Sequence, residues 1–86
     1  MSYAANALAR KDVSEVVRRI LKRRSIDRAV SADDDLREIG LTSLDMVDLV
    51  LSVESEFGLS VPETSITPAN FRSIAAINAL VESLSD

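Results

Sequence analysis

Apolar residues recur at Val13, Val16, Val17, Ile20 and Leu21, the i, i+3, i+4, i+7, i+8 stripe of an amphipathic helix. Asp12 stands where a cap belongs, and Glu15 three residues on gives the pair the look of a capping box, although Ser or Thr is the usual first member. A first helix is predicted over 12–24, with room for an earlier start within 5–10. Lys22, Arg23 and Arg24 crowd its last turn, where the helix dipole is negative. Residues 25–42 show no sustained period beyond one turn over 35–39, capped by the acidic run Asp33, Asp34 and Asp35. This reads as a long ordered loop pinned to the core by Ile26, Val30, Leu36 and Ile39; such length in a small domain points to function.

Gly40 closes that turn, and Thr42 or Ser43 can cap the next helix, predicted over 43–57 with Gly58 as its stop. Val61-Pro62 breaks the chain. Thr67-Pro68 pairs a cap with proline at the first helical position, predicting a short third helix over 68–71. Ser73 then caps a last helix with Ile74, Ile77, Leu80, Val81 and Leu84 on one face. The expectation is an all-α fold, a small four-helix bundle with a long first loop and a short third helix. One domain spans 1–86, with 1–10 read as a frayed N-terminal extension.

The helix over 43–57 carries more apolar surface than folding requires. At about 100° per residue, Met46, Leu49, Val50, Val53 and Phe57 fall on one side, enough for a core face. Leu44, Val47 and Leu51 fall on the other, fringed by Asp45, Asp48 and Glu54. An outward apolar strip is a candidate docking surface. Its acidic fringe suits partners with basic patches, whose binding would weaken with salt. Ser43 begins the same helix, where free N–H groups and the positive dipole end favour a phosphate. A Thr-Ser pair alone would read as a helix cap.

Composition narrows the chemistry. An 86-residue chain with 47% apolar and 3% aromatic residues has room for one modest aliphatic core. The absence of Cys and His removes disulfides, thiol nucleophiles, Ser-His arrangements and the common zinc sites. No catalytic residue and no metal ligand is expected, so the chain is not expected to be an enzyme. No apolar run approaches a membrane span and the N-terminus has no secretory signature, which leads to the expectation of a cytoplasmic protein. The net charge of −4 hides an asymmetry: residues 1–28 are net basic, and the remainder strongly acidic.

Residues 35–50, DLREIGLTSLDMVDLV, closely resemble the phosphopantetheine attachment region of acyl and peptidyl carrier proteins: an apolar-x-x-apolar-Gly approach, a serine, a following Leu, and an acidic aliphatic helix. Residues 54–58 and Val61-Pro62 resemble the end of that family's second helix and the loop beyond it. Residues 66–74, ITPANFRSI, resemble the junction of the third and fourth helices in its aminoacyl and peptidyl members. The likeness covers nearly the whole chain and implies the acyl-carrier type of bundle.

It further implies that Ser43 bears 4'-phosphopantetheine, taken from coenzyme A by a phosphopantetheinyl transferase. Thr42, Leu44, Asp45, Val47, Asp48, Leu51 and Glu54 would meet partner enzymes: an acyl- or aminoacyl-loading ligase and downstream acyl-transfer or condensing enzymes. The implied function is carriage of acyl or aminoacyl thioesters by a monomer with no nucleic-acid partner and no membrane span, in fatty acid, polyketide or nonribosomal peptide biosynthesis. Two departures, Thr42 where many members have Asp and an unusually basic first helix, point to a specialised pathway. The rival reading is a non-modified helical adaptor that binds an acidic partner, or nucleic acid, through Arg18, Arg19, Lys22, Arg23 and Arg24; the same charges can equally offset the acidic remainder.

Overall fold

The structure, a computed structural model, describes residues 12–85. Among them the fold is all-helical, with four α-helices and one 3-10 turn: α1 Val13–Arg23, α2 Leu36–Ile39, α3 Ser43–Phe57, the 3-10 turn Glu63–Ser65, and α4 Ile74–Leu84. The proposed earlier start of the first helix within 5–10 lies outside the described residues.

The stripe on α1 is buried as its spacing requires: Val13, Val16, Val17, Ile20 and Leu21 all lie in the core. They meet Leu49, Val50 and Val53 of α3 and Ile74, Ile77, Leu80 and Val81 of α4 in one cluster, and α1 packs against both helices. Leu36 and Ile39 are buried and Ile26 and Val30 partly so, so the long loop is pinned by the four residues expected to pin it.

Asp12 does cap α1, its carboxylate accepting from the Ser14 amide at 2.8 Å. Glu15 takes part through its backbone, its amide donating to the Asp12 carbonyl at 3.1 Å, and the second side chain at this cap comes from elsewhere. Asn78 of α4 fills that place, donating to Asp12 at 3.1 Å and accepting from the Val13 amide at 3.2 Å. The other end of α1 closes in a Schellman motif. The Ile26 amide donates to the Leu21 carbonyl and the Ser25 amide to that of Lys22. Ser25 takes the left-handed position there, with φ +59°.

The segment 68–71 forms one hydrogen-bonded turn and not the expected short third helix; the short helix of the four is α2. Thr67 behaves as a cap, its hydroxyl accepting from the Asn70 amide at 3.2 Å and its carbonyl from the Phe71 amide at 3.1 Å. A second turn is prevented because Ser73 must be extended (φ −146°, ψ 166°) to cap α4 through the Ala76 amide. The 3-10 turn forms just upstream instead, opened by Pro62, whose carbonyl accepts from Ser65 at 2.8 Å.

Candidate functional site

The N-terminus of α3 is built by Thr42. Its backbone is extended, its hydroxyl accepts from the Asp45 amide at 3.3 Å, and the Asp45 carboxylate reaches back to the Thr42 amide at 2.8 Å. This capping box satisfies the orphan donors that any helix start presents. Of the two candidate caps, Thr42 takes the role, which leaves Ser43 as the first helical residue, exposed to solvent. Gly40, at φ +125°, turns the chain out of α2 and into this start; a Cβ on it would stand 3.4 Å from Ile26 Cδ1.

Asp45 corrects the sequence reading. It was expected on the acidic fringe of the outward strip, but it is only 8% exposed and points into the bundle. Its Oδ2 accepts from the Thr42 hydroxyl at 3.0 Å, from the Thr42 amide, and from the Arg24 guanidinium. Burial by itself would raise its pKa. The Thr42 and Arg24 hydrogen bonds and the Arg24 charge outweigh burial and hold the pKa below the ordinary carboxylate value.

The outward strip is as the period predicted. Leu44 is 80% exposed, Val47 56% and Leu51 59%, while Leu49 and Val53 on the opposite face are fully buried. Asp48 borders the strip, paired with Arg23. Glu54 is half-buried, and its Oε2 accepts from the Val61 amide at 2.8 Å, tying the helix end to the following loop. Ile66, 45% exposed, extends the apolar surface across to the neighbouring segment.

The basic character of α1 finds its counterpart here. Arg19 pairs with Glu56 at 3.2 Å, Arg23 with Asp48, and Arg24 with Asp45. The order along α1 is the reverse of that along α3, so the two helices run antiparallel with a ladder of opposite charges between them. Three of the five cations that the adaptor reading needs, Arg19, Arg23 and Arg24, are therefore paired with α3 of the same molecule.

Between α3 and residues 66–72 lies a groove of about 490 Å³. Ser43, Met46, Val47, Val50, Leu51 and Glu54 form one wall, Ile66, Thr67, Pro68 and Phe71 the other, and Arg37 and Arg72 also line it. The residues of the ITPANFRSI stretch build that second wall: Thr67 caps its turn, the Asn70 side-chain amide donates to the Ser65 carbonyl at 2.9 Å, and Phe71 is buried. The composition of this groove was not anticipated, because no sequence period links residue 37 or 72 to residue 43.

The arrangement fits an anionic group esterified to Ser43. The hydroxyl is accessible at the positive end of a 15-residue helix. Two arginines line the same groove, and the carboxylate two residues on, Asp45, is already paired with Arg24.

A family model described as the phosphopantetheine attachment site matches residues 11–81. The chain belongs to this carrier-protein family. Two Bradyrhizobium diazoefficiens proteins are similar to it over most of their length. Aminoacyl carrier protein 1 is 37% identical over 78 residues, covering 91% of this chain and 87% of the relative. Aminoacyl carrier protein 2 is 44% identical over 69 residues, covering 80% and 78%. A chain in the crystal structure of Bradyrhizobium japonicum glycine:[carrier protein] ligase complexed with glycylated carrier protein superposes with a TM-score of 0.69 at 32% identity, covering 79% of this carrier and 96% of that chain. A chain in the complex of the same ligase with cognate carrier protein and an analogue of glycyl adenylate gives 0.71, again at 32% identity, covering 83% and 96%. The carrier fold, the 4'-phosphopantetheine cofactor and a carrying rather than catalytic role follow from this membership. Among the described residues of the carrier, no helix is long and apolar enough to cross a membrane.

Proposed function

We propose that Ser43 carries the phosphopantetheine arm and that the cargo is an aminoacyl group, loaded by a ligase that activates an amino acid. The observation that carries the attachment site is the division of labour at the start of α3: Thr42 and Asp45 cap the helix, so the neighbouring exposed hydroxyl is free for modification. In the transfer, the Ser43 oxygen bonds to the pantetheine-side phosphorus of the coenzyme A pyrophosphate while the bond from that phosphorus to the bridging oxygen breaks; adenosine 3',5'-bisphosphate leaves with the electron pair, and the serine proton passes to a base of the transferase or to solvent. The arm supplies a terminal thiol that holds the aminoacyl group as a thioester. The chain's own residues bind, orient and present, and the tether keeps the cargo at high effective concentration near each partner.

The aminoacyl cargo is supported by the two relatives that bear that name and by the likeness to a chain in the glycine ligase complexes. Leu44, Val47 and Leu51 form the surface that meets the transferase, the ligase and later acyl-transfer or condensing enzymes. Thr42, Asp48 and Glu54 lie at its margin. Asp45 is withdrawn from that surface by its burial and supports the helix start instead. The ion-paired face of α1 disfavours the adaptor reading, in a monomer with no nucleic-acid partner.

Intact mass measurement after incubation with coenzyme A and a broad-specificity transferase tests the reading. A gain of one phosphopantetheine on the wild type and none on Ser43→Ala is expected; an equal gain on both overturns the site. Subsequent loading by a glycine-activating ligase with ATP distinguishes aminoacyl from acyl cargo.

A further inference from the structure

The groove beside Ser43 is electrically uneven. Among the described residues Glu54 is the one carboxylate in its lining, whereas Arg37 and Arg72, the latter 3.7 Å from Asp35, supply positive charge to it. The Glu54 carboxylate is already oriented, because Oε2 holds the Val61 amide at 2.8 Å. A ligand matching this lining combines an anionic group, an apolar body and a cation. An aminoacylated arm on Ser43 has that form: a phosphodiester, a dimethyl-bearing body, and the free ammonium of an amino acid held through its carboxyl.

Length agrees with charge. Ser43 and Glu54 are eleven positions apart on the same helix, which at ~1.5 Å per residue is about 16 Å. The arm has roughly thirteen bonds from phosphorus to sulfur, and at ~3.5 Å per three-bond backbone repeat it extends about 15 Å. The aminoacyl group adds about three bonds, or another ~3.5 Å, so its ammonium reaches Glu54 with a little slack. The apolar side chains between, Val47, Val50 and Leu51, offer the arm a surface and the ammonium nothing to pair with.

Resting on the attachment and cargo proposed above, we infer that Glu54 is the seat of the carried aminoacyl group's ammonium, the arm lying back along the groove between α3 and residues 66–72. Glu54 then discriminates by charge. An aminoacyl group is held against the carrier between partners, while a neutral acyl group of the same shape is not.

The test uses the full chain loaded at Ser43 from hydrolysis-stable amide analogues of glycyl- and propionyl-coenzyme A, two cargoes of nearly equal shape that differ by the ammonium. The readout is the Val61 amide resonance, which reports on the Glu54 carboxylate it donates to. A displacement of that resonance with the glycyl arm relative to the propionyl arm is expected, fading in high salt and lost in Glu54→Gln. Coincident Val61 resonances for the two arms overturn the inference, as does a glycyl effect that persists in Glu54→Gln. Should Glu54→Gln fail to fold, the wild-type comparison at low and high salt decides alone. Mass measurement before the spectra separates the two levels of claim: no arm on Ser43 sinks the attachment reading, whereas a loaded arm with no glycyl effect sinks only the role of Glu54.

Discussion

Arg24, the residue after the last turn of α1, donates from Nη1 to the same Oδ2 atom of Asp45 that accepts the amide and hydroxyl of Thr42. The end of one helix is thereby fastened to the beginning of the next long one, directly behind the exposed serine.

This link should matter more than its neighbours on the charge ladder. Arg23 and Asp48 are largely exposed, with side chains 62% and 41% accessible, and a pair of that kind contributes about 0.2–1 kcal/mol. The Asp45 side chain is only 10% accessible, so its charge has less solvent to fall back on. Double-mutant cycles by urea denaturation are expected to give a larger coupling for Arg24→Ala with Asp45→Ala than for Arg23→Ala with Asp48→Ala. Equal couplings would contradict the special standing of the first pair.

Asp45 also sets a pH dependence. Its folded pKa is depressed relative to the unfolded chain, so its contribution is complete above the unfolded value and fades as pH falls through the folded one. Asp12, whose pKa is lowered chiefly by the Ser14 amide and then by Asn78, acts with the same sign. The stability gap between wild type and Asp45→Asn is expected to be wide near neutral pH and to narrow below about pH 4. Urea midpoints across that range check it.

Ser25 occupies a left-handed position without the freedom of glycine. An L side chain there costs roughly 1–2 kcal/mol, part of which glycine returns as unfolded-state entropy. Ser25→Gly should therefore raise the melting temperature by a few degrees, on the order of 1 kcal/mol. A lower melting temperature would show that the Ser25 side chain has a stabilising role.

Leu51 and Leu49 are close in sequence and opposite in consequence. Leu51→Asp places a charge in solvent and should leave stability within about 1 kcal/mol of wild type, while weakening ligase-catalysed loading by roughly tenfold, as for loss of an interface anchor. Leu49→Asp puts an unpaired charge into the core and should prevent folding. Circular dichroism together with loading kinetics separates the two, and unfolding of Leu51→Asp would mean the strip is structural.

The two faces of α3 were legible in the sequence because a helix converts spacing into direction, and Leu44, Val47 and Leu51 obey that conversion. The caps Asp12 and Ser73 were legible for a similarly local reason, and the cap of α3 was narrowed to Thr42 or Ser43, of which the structure uses Thr42. Asp45 was not. A carboxylate on a helix reads as solvated until its tertiary partner is known, and Arg24 lies 21 residues away. The turn at 68–71 carried a true start signal in Thr67-Pro68, but its length was set by the extended backbone Ser73 needs downstream. The groove depended on the chain returning to pair the Leu36 amide with the Arg72 carbonyl at 2.9 Å, a closure that no periodicity announces.

The charge ladder makes the two flanks of α3 chemically unlike. Arg19, Arg23 and Arg24 all grip α3 from one flank, while on the cleft side the helix is joined to the 59–72 segment by the Glu54–Val61 hydrogen bond, and Phe71 of that segment is buried. The ionic contacts therefore stand on the flank away from the cleft, where a guest lying in the cleft leaves them untouched and the proposed attachment serine keeps its place for a visiting enzyme.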